Sequence, residues 1–425
     1  MSRVSGLISV CLLFSLSVMA YGQALQTKSI AKTKIKSSTL TASDGINKDW
    51  FGFSVAISGD TAIVGAPEVA GVRGSAYVFV KPSDGWSNMT QTAQLTASDG
   101  QSGDQFGYSV AISDTTVVVG AANATVNGTQ GQGAAYVYVK PESGWTNMTE
   151  TAKLTASNGV SQAAFGLSSS IEGNIAVIGA PQPGAAFPGP GASYVFVEPS
   201  GGWKSMTETA ELKASDATDD DDFGYATAID NNTIVVGAPY SGNGATYVFV
   251  KPPSGWRNTT ETAKLTSADG FNGDLFGIAV ATTGSVVAVG ASNHNAGRAY
   301  VFVEPRQGWV NMTQTAEFKN NVDASCFGNS IALSSNAMLV GANCAQLSTG
   351  EAFLFLKPRT GWRNNSLYRV VLSVPFSSQG DDFAESLAIS GKAAVIGAPL
   401  APTFPPCHGT QCQDGPGEAF IFTVQ

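Results

Sequence analysis

The chain has 425 residues, of which 13% are charged and 48 are glycine, and its formal net charge is −9. Phosphate binding needs a basic surface, so this charge argues against nucleic acid as a partner and also disfavours anionic membranes. Because one compact core rarely exceeds roughly 300 residues, the length and the many glycines predict several domains or one repetitive, turn-rich architecture.

The N-terminus has the features of a secretory signal peptide. An apolar run of about a dozen residues follows Arg3 and ends before small residues at Ala20 and Gly22. This run is shorter than the roughly 20 residues of a membrane-spanning helix, which argues against a retained anchor. We therefore expect a secreted protein without membrane insertion. The predicted organisation is a signal peptide over residues 1–22, a short linker over 23–35 and a folded part over 36–425.

A sequence unit then recurs seven times, at intervals of 51 to 59 residues. Each copy carries Phe-Gly, altered to Phe-Ala in the last copy, and a Gly-Ala pair fourteen residues later. Such a period is typical of solenoids and propellers, in which each unit is one supersecondary element. The phenylalanines that begin the pairs are at positions 51, 106, 165, 223, 276, 327 and 383.

Each unit predicts four short strands. In the first unit these are residues 51–57, 61–66, 75–80 and 92–97, separated by turns. The third strand alternates aromatic and aliphatic residues, so both of its faces are apolar and both must be covered. Radial stacking of small antiparallel sheets covers both faces and leaves only short edges.

The first and last predicted strands indicate how the ring closes. Residues 38–42 repeat the fourth strand of a unit without the first three, and residues 419–424 repeat the third strand with no fourth after it. An open solenoid has no use for this arrangement. We therefore predict an all-β, seven-bladed β-propeller of four-stranded antiparallel blades, closed by the N-terminal strand, which completes the last blade.

Six tryptophans recur in register, each after a glycine, where we place the start of the fourth strand. Their recurrence in all units but one predicts a role in packing rather than in ligand binding. They are Trp86, Trp145, Trp203, Trp256, Trp309 and Trp362.

The repeated units resemble FG-GAP repeats, the propeller units of integrin α-subunit heads and of many secreted proteins. The resemblance covers residues 36–425 and implies a binding or recognition role, such as cell adhesion. Integrin-type units often hold calcium in a loop between the first two strands. Here that connection has only two or three residues, as at 113–114 and 58–60, too few to supply six or more oxygen ligands. We therefore expect no cofactor and do not carry calcium over to these turns.

Candidate ligand-binding residues lie in the connections of one face. In a propeller, the 4–1 connections between blades and the 2–3 connections within blades emerge on the same face. The 4–1 connections repeat an acidic pattern, and both a cation and a hydroxyl-rich ligand would suit it; Asp-Gly pairs are also ordinary turn formers. Phenylalanines flanked by prolines in 2–3 connections would either stack on a ligand or pack under their own loops. The candidates are Asp219, Asp220, Asp221, Asp222, Phe187 and Phe404.

Eight N-x-S/T sequons predict N-glycosylation. Five recur in the 3–4 connections and one lies in a 1–2 turn, so occupied sites would coat the face opposite the candidate ligand-binding face. Duplication of one ancestral motif is the alternative explanation for their register. The sequon asparagines are Asn88, Asn123, Asn127, Asn147, Asn231, Asn258, Asn311 and Asn364.

Four cysteines remain once the signal peptide, with Cys11, is removed. An even number in an oxidising compartment favours disulfides. Three pairings exist in principle, and we favour the local pairing of Cys326 with Cys344 and of Cys407 with Cys412. The first bridge would join the beginning of a first strand to the end of the adjacent second strand. A metal site at Cys407, His408 and Cys412 is the weaker alternative.

The sequence offers little support for an enzyme. The two histidines, His294 and His408, lie in different units, and the motif Gly-x-Ser-x-Gly is absent. We therefore predict a binding module for an extracellular protein or carbohydrate, with no prediction of its oligomeric state. One alternative is a glycosidase or polysaccharide lyase that uses carboxylates of the acidic face. The other is a structural component of a wall or matrix.

Overall fold

The computed structural model describes residues 35–69, 73–181, 189–319, 326–345, 349–364, 370–374, 380–401 and 415–424. In these residues, 33 strands form seven small sheets in a ring, which confirms the predicted seven-bladed β-propeller. Among them no helix has the length and apolar character needed to cross a membrane. Several sequence predictions lie outside the described residues: the signal peptide, Phe187, Phe404, Cys407 and Cys412.

The strands of the first four blades follow one scheme, in which a short extra strand precedes each fourth strand. Blade 1 contains β2 (Ser54–Ser58), β3 (Thr61–Ala66), β4 (Ser75–Val80), β5 (Met89–Thr90) and β6 (Ala93–Thr96). Blade 2 contains β7 (Phe106–Ser113), β8 (Thr116–Ala121), β9 (Ala134–Val139), β10 (Met148–Thr149) and β11 (Ala152–Thr155). Blade 3 contains β12 (Ser168–Glu172), β13 (Ile175–Ala180), β14 (Ala192–Val197), β15 (Met206–Thr207) and β16 (Ala210–Lys213). Blade 4 contains β17 (Ala226–Asp230), β18 (Thr233–Ala238), β19 (Ala245–Val250), β20 (Thr259–Thr260) and β21 (Ala263–Thr266).

The last three blades use the same four main strands. Blade 5 contains β22 (Phe276–Thr283), β23 (Val286–Ala291), β24 (Arg298–Val303), β25 (Met312–Thr313) and β26 (Ala316–Phe318). Blade 6 contains β27 (Ile331–Leu333), β28 (Ala337–Ala342), β29 (Glu351–Leu356) and β30 (Val370–Leu372). Blade 7 contains β31 (Leu387–Ser390), β32 (Ala393–Ala398), β33 (Glu418–Val424) and, from the start of the chain, β1 (Ile35–Thr41).

The N-terminal strand closes the ring, as predicted. β1 pairs antiparallel with β33 over six residues, from Ile35 opposite Val424 to Leu40 opposite Ala419. Leu40 is fully buried there. Blade 7 thus receives its third strand from one end of the chain and its fourth from the other.

The core lies between the blades. All seven second strands are buried along their whole length, because a neighbouring blade covers each of their faces. In the third strand of blade 1, Tyr77 and Phe79 pack toward blade 7, while Val78 packs toward blade 2. Alternating side chains thus supply both apolar faces of each blade. We call each interface between neighbouring blades a seam.

The first strands are innermost and line the central channel. Each is the inner end of its sheet, and the first strands of successive blades contact one another around the ring. In blade 1 the first strand begins at Ser54 and not at residue 51 as predicted. The preceding Phe-Gly pair belongs instead to a turn at the end of the channel.

The 3–4 connections bind each blade to the preceding one. The two-residue strands β5, β10, β15, β20 and β25, which we call straps, pair in parallel with the fourth strand of the preceding blade. The repeated tryptophans precede the straps and do not begin the fourth strands, which corrects the sequence prediction. All six are buried, and each fills the seam between its own blade and the preceding one.

Candidate functional site

A four-residue turn recurs at one end of the channel in all seven blades, and we call it the mouth turn. Its first residue has a left-handed backbone, as in Trp50 (φ 57°) and Asp222 (φ 54°), although none of the seven is glycine. The carbonyl of that residue accepts the N–H of the fourth, at 3.0 Å from Phe53 to Trp50 in blade 1. The mouth turns are residues 50–53, 105–108, 164–167, 222–225, 275–278, 326–329 and 382–385.

The Phe-Gly pair forms the middle of each mouth turn. Phe51 is fully buried against Tyr77, with the ring centroids 5.5 Å apart. Gly52 has φ 99°, and a Cβ added there would lie 2.4 Å from the carbonyl oxygen of Glu418 in the neighbouring blade. A side chain is therefore excluded at this position. The seventh copy departs from the rule, since Ala384 adopts φ 71°.

The fourth residues of the mouth turns form a ring of side chains at the channel entrance, which we call the mouth ring. All seven are partly exposed although they adjoin the core. Phe53 and Tyr108 contact each other, with centroids 4.8 Å apart. The ring consists of Phe53, Tyr108, Leu167, Tyr225, Ile278, Asn329 and Glu385.

Electrostatic effects link members of the mouth ring from three blades. Burial raises the pKa of Tyr108, and the charge of Glu385 raises it further. Burial also raises the pKa of Tyr225, with added contributions from Tyr108 and Glu385. These side chains from blades 2, 4 and 7 therefore surround one opening.

Glu385 is the acidic member of the mouth ring. Burial, followed by the charge of Asp382, raises the pKa of its carboxyl group to about 7. Its Oε2 accepts a hydrogen bond of 2.7 Å from Nδ2 of Asn343. The two side chains that shift this pKa, Asp382 and Asn343, are not cationic. A partly desolvated carboxylate beside aromatic rings is suited to a cationic ligand.

The structure brings one of the four consecutive aspartates into this site. Asp222 begins the mouth turn of blade 4, and burial together with Asp220 and Asp221 raises its pKa to about 6. Asp221 is buried and accepts hydrogen bonds of 2.8 Å from both the N–H and the hydroxyl of Thr218. Asp219 and Asp220 are exposed outside the mouth ring.

The repeated acidic pattern of the 4–1 connections is largely structural. Buried aspartates such as Asp49 and Asp104 accept backbone N–H groups three residues earlier. Exposed aspartates such as Asp44 and Asp99 accept the hydroxyl of a third-strand tyrosine. Loop formation thus accounts for these carboxylates. In the described part of the chain, no cluster of three or more acidic, histidine or cysteine side chains has the geometry of a metal site.

A disulfide fixes the mouth turn of blade 6. Cys326 occupies the first position of this turn and is bonded to Cys344, which follows β28. The structure thus contains the first of the two predicted bridges. His294, in blade 5, is buried with Nδ1 2.6 Å from Oδ2 of Asp274.

The sequon asparagines of the 3–4 connections have a structural function that the sequence prediction missed. All eight sequon asparagines are exposed. Five of them accept a backbone N–H from the fourth strand of the preceding blade, as Asn147 Oδ1 does from Gln94 at 2.8 Å. In blade 3, which has no sequon here, Ser205 accepts the corresponding N–H at 3.1 Å. The five asparagines are Asn88, Asn147, Asn258, Asn311 and Asn364.

These contacts separate the structural function of Asn147 from glycosylation. Asn147→Ala should lower the free energy of unfolding by about 1 kcal/mol even without glycan, because the Gln94 N–H loses its partner. Asn147→Ser should lose much less stability, because Ser205 accepts the corresponding N–H in blade 3. Urea denaturation of the enzymatically deglycosylated proteins measures both. Thr149→Val, which removes the sequon and keeps the asparagine, is the control; a loss as large as that of Asn147→Ala would contradict the assignment.

The repeats match one known family model, which is described as FG-GAP repeat. The five matched segments together cover more than half of the chain. They are residues 36–79, 89–138, 148–196, 206–249 and 259–302. No curated protein matches the chain.

Proposed function

The chain belongs to the FG-GAP repeat family, and from this premise we propose that it is a secreted, glycosylated recognition module. Its ligand is an extracellular protein or glycan that docks on the face formed by the 4–1 and 2–3 connections. The mouth ring is the centre of this site and receives a positively charged group of the ligand. Lysine and arginine side chains supply such a group, so a protein ligand fits best.

The environment of the Glu385 carboxylate supports this proposal most directly. Its carboxylate is partly desolvated, and the charged or phenolic side chains that interact with it include Asp382 and Tyr108, neither of which is cationic. An incoming cation would offset the desolvation of the carboxylate and also face the rings of Phe53 and Tyr108. Asp222, at the start of another mouth turn, adds negative potential to the same opening.

The distribution of the sequons is consistent with this choice of face. Asn231 lies in a 1–2 turn, and five other sequon asparagines lie in 3–4 connections, so six of the eight are on the opposite face. Glycans at those positions would keep that face wet and leave the mouth ring accessible. Asn123 and Asn127 are in the 2–3 connection of blade 2 and are the exceptions.

Binding of arginine-containing peptides to the secreted protein tests the proposal. Peptides with one arginine should bind saturably, and replacing the arginine by neutral citrulline should weaken binding about tenfold or more. Glu385→Gln should have a similar effect because it removes the charge and keeps the shape. Asp219→Asn, which removes an exposed charge outside the mouth ring, is the matched control and should change affinity by less than about twofold. Equal binding of arginine and citrulline peptides would refute a cation site.

A carbohydrate-active enzyme is the second candidate. The observation that favours it is the pKa of Glu385 at about 7, a value suited to a general acid. Such an enzyme also needs a second carboxylate at roughly 5–10 Å. Release of reducing ends from extracellular polysaccharides that disappears in Glu385→Gln would replace the binding proposal with an enzymatic one.

A further inference from the structure

In the described residues, the seam between blades 6 and 7 lacks the tryptophan that fills each of the other six seams. Each of the others contains a tryptophan from the 3–4 connection of the following blade. Blade 7 takes its third strand from β33 and its fourth from β1, so no 3–4 connection joins them. The described core of this seam accordingly contains no tryptophan.

An apolar groove lies in this seam. Its volume is about 320 Å³. Serine and asparagine of the 1–2 turn of blade 6 form one rim, and Lys392 in the 1–2 turn of blade 7 is the charged residue among the described lining residues. The apolar lining consists mainly of Ile35, Leu354, Leu356, Leu372, Ile389 and Phe422.

Burial of the third strand is incomplete at this seam. Leu354 is partly exposed, whereas the six residues at its register position in the other blades have no exposed surface. Leu356, two residues later, is 50% exposed. The fully buried equivalents of Leu354 are Val78, Val137, Val195, Val248, Val301 and Ile421.

In the part of the chain that the structure describes, the fourth strand of blade 6 carries no strap on its outer edge. In the described residues β30 pairs with β29 alone. The fourth strands of five other blades, among them β6 and β11, carry a strap in parallel on their outer edge. A free edge is a template for an added strand.

The positive charge of Lys392 at the rim indicates that an added segment would carry an acidic side chain. Lys392 holds the register position of Asp60 in blade 1, where Lys81 forms an ion pair with Asp60 at 2.5 Å. In blade 7 the position of Lys81 belongs to Val424, which has no charge. An acidic side chain on an incoming segment would therefore complement Lys392.

We propose that this seam binds an extended segment of a partner protein. The segment pairs in parallel with β30, inserts a tryptophan or a similarly large aromatic side chain into the groove, and places an acidic residue a few positions earlier near Lys392. Such a segment would continue an established interface, because a 3–4 connection with a tryptophan fills each of the other six seams. Burial of an aromatic side chain supplies most of the affinity, and the strand edge orients the segment.

A peptide with the sequence of residues 198–213 is a suitable probe. It contains Glu198, Trp203 and the strap β15, and it has no sequon. The peptide should bind the full secreted protein saturably, measured by calorimetry. A Trp203→Ala peptide should bind about tenfold more weakly or not at all. Absence of saturable binding, or equal binding of the two peptides, would overturn the proposal.

Two protein variants locate the bound peptide. Leu354→Trp should fill the groove and abolish binding. Lys392→Glu is an exposed substitution that leaves the core intact, and it should weaken binding of the peptide several-fold. A Glu198→Lys peptide should restore the affinity for this variant. Binding that neither variant changes would place the peptide elsewhere and refute the site. If the protein forms a dimer that the peptide dissociates, the occupant is a second copy of this chain, and the proposal of a separate partner protein is overturned.

Discussion

A variant that lacks residues 35–41 is expected to lose cooperative folding. β1 contributes six paired residues to β33 and the fully buried Leu40. Loss of one buried leucine costs about 2–5 kcal/mol, and each lost strand hydrogen bond costs about 1 kcal/mol. Together they reach the roughly 5–15 kcal/mol by which a whole protein is usually stable. Secreted yield and the thermal transition followed by circular dichroism measure the effect.

Relocating the same strand provides the control. In a variant with residues 81–89 and then residues 35–41 joined after Thr423, blade 7 gains a 3–4 connection in the register of blade 1, because Ile35 holds the register position of Thr90. Folding should recover, because blade 7 needs its fourth strand but not a particular position for it in the chain. Trp86 of the added connection should fill the groove and prevent binding of the 198–213 peptide. A variant without residues 35–41 that melts like the native protein would contradict ring closure by β1.

Glu385→Gln is expected to stabilise the protein at pH 8 while it removes cation binding. In the native protein the pKa of Glu385 is about 7, raised by burial and by Asp382 from a usual value of 4.5. The native state therefore holds this proton more tightly than the unfolded chain does. Ionisation costs stability as the pH rises from about 4.5 through 7, and the full cost is present above 7. At 1.36 kcal/mol per pKa unit, the gain in Glu385→Gln at pH 8 is about 3 kcal/mol.

Denaturation at two pH values checks this prediction. At pH 4 the glutamate is largely protonated in both states, so the native protein and Glu385→Gln should have nearly equal stability. The difference should grow between pH 4 and pH 8. If Glu385→Gln were less stable than the native protein at pH 8, the carboxylate would have a stabilising cationic partner within the chain. The mouth ring would then have no vacancy for a cationic ligand.

The opposite effects on stability and binding distinguish a functional residue from a structural one. Asp221 accepts two hydrogen bonds from Thr218, so replacing Asp221 should destabilise the protein. The ionised carboxylate of Glu385 instead lowers the stability of the protein as long as no cation compensates its charge. Residues kept at such a cost are typical of binding sites, where the ligand supplies the missing interaction.

The sequence alone was sufficient to predict the fold. Phe-Gly and Gly-Ala pairs at a constant separation mark the seven units, and strand alternation requires that both blade faces be covered. Fragments of a blade at residues 38–42 and 419–424 indicated a closed ring, and the pairing of β1 with β33 confirms it. These features depend on local periodicity, which a single sequence displays.

Only the tertiary structure showed which side chains meet at the channel. Residues 108, 225 and 385 are far apart in the chain, and the ring brings them to one opening because each follows a Phe-Gly or Phe-Ala pair. A signal was present, since the residue after each such pair is in register. Its meaning depended on the innermost position of the first strands, which the sequence does not display.

Contacts between neighbouring blades decided the remaining assignments. The tryptophans fill seams, and the five sequon asparagines of the 3–4 connections accept N–H groups of the preceding blade. Most acidic residues of the 4–1 connections form hydrogen bonds within their own or adjacent loops. Sequence reasoning placed the tryptophans in the fourth strands and attributed the sequon register to glycosylation or duplication. The sequence determined the seven blades and their closure, because each unit repeats a local pattern. The structure decided what each repeated side chain does, because its partner belongs to another blade about 50 residues away.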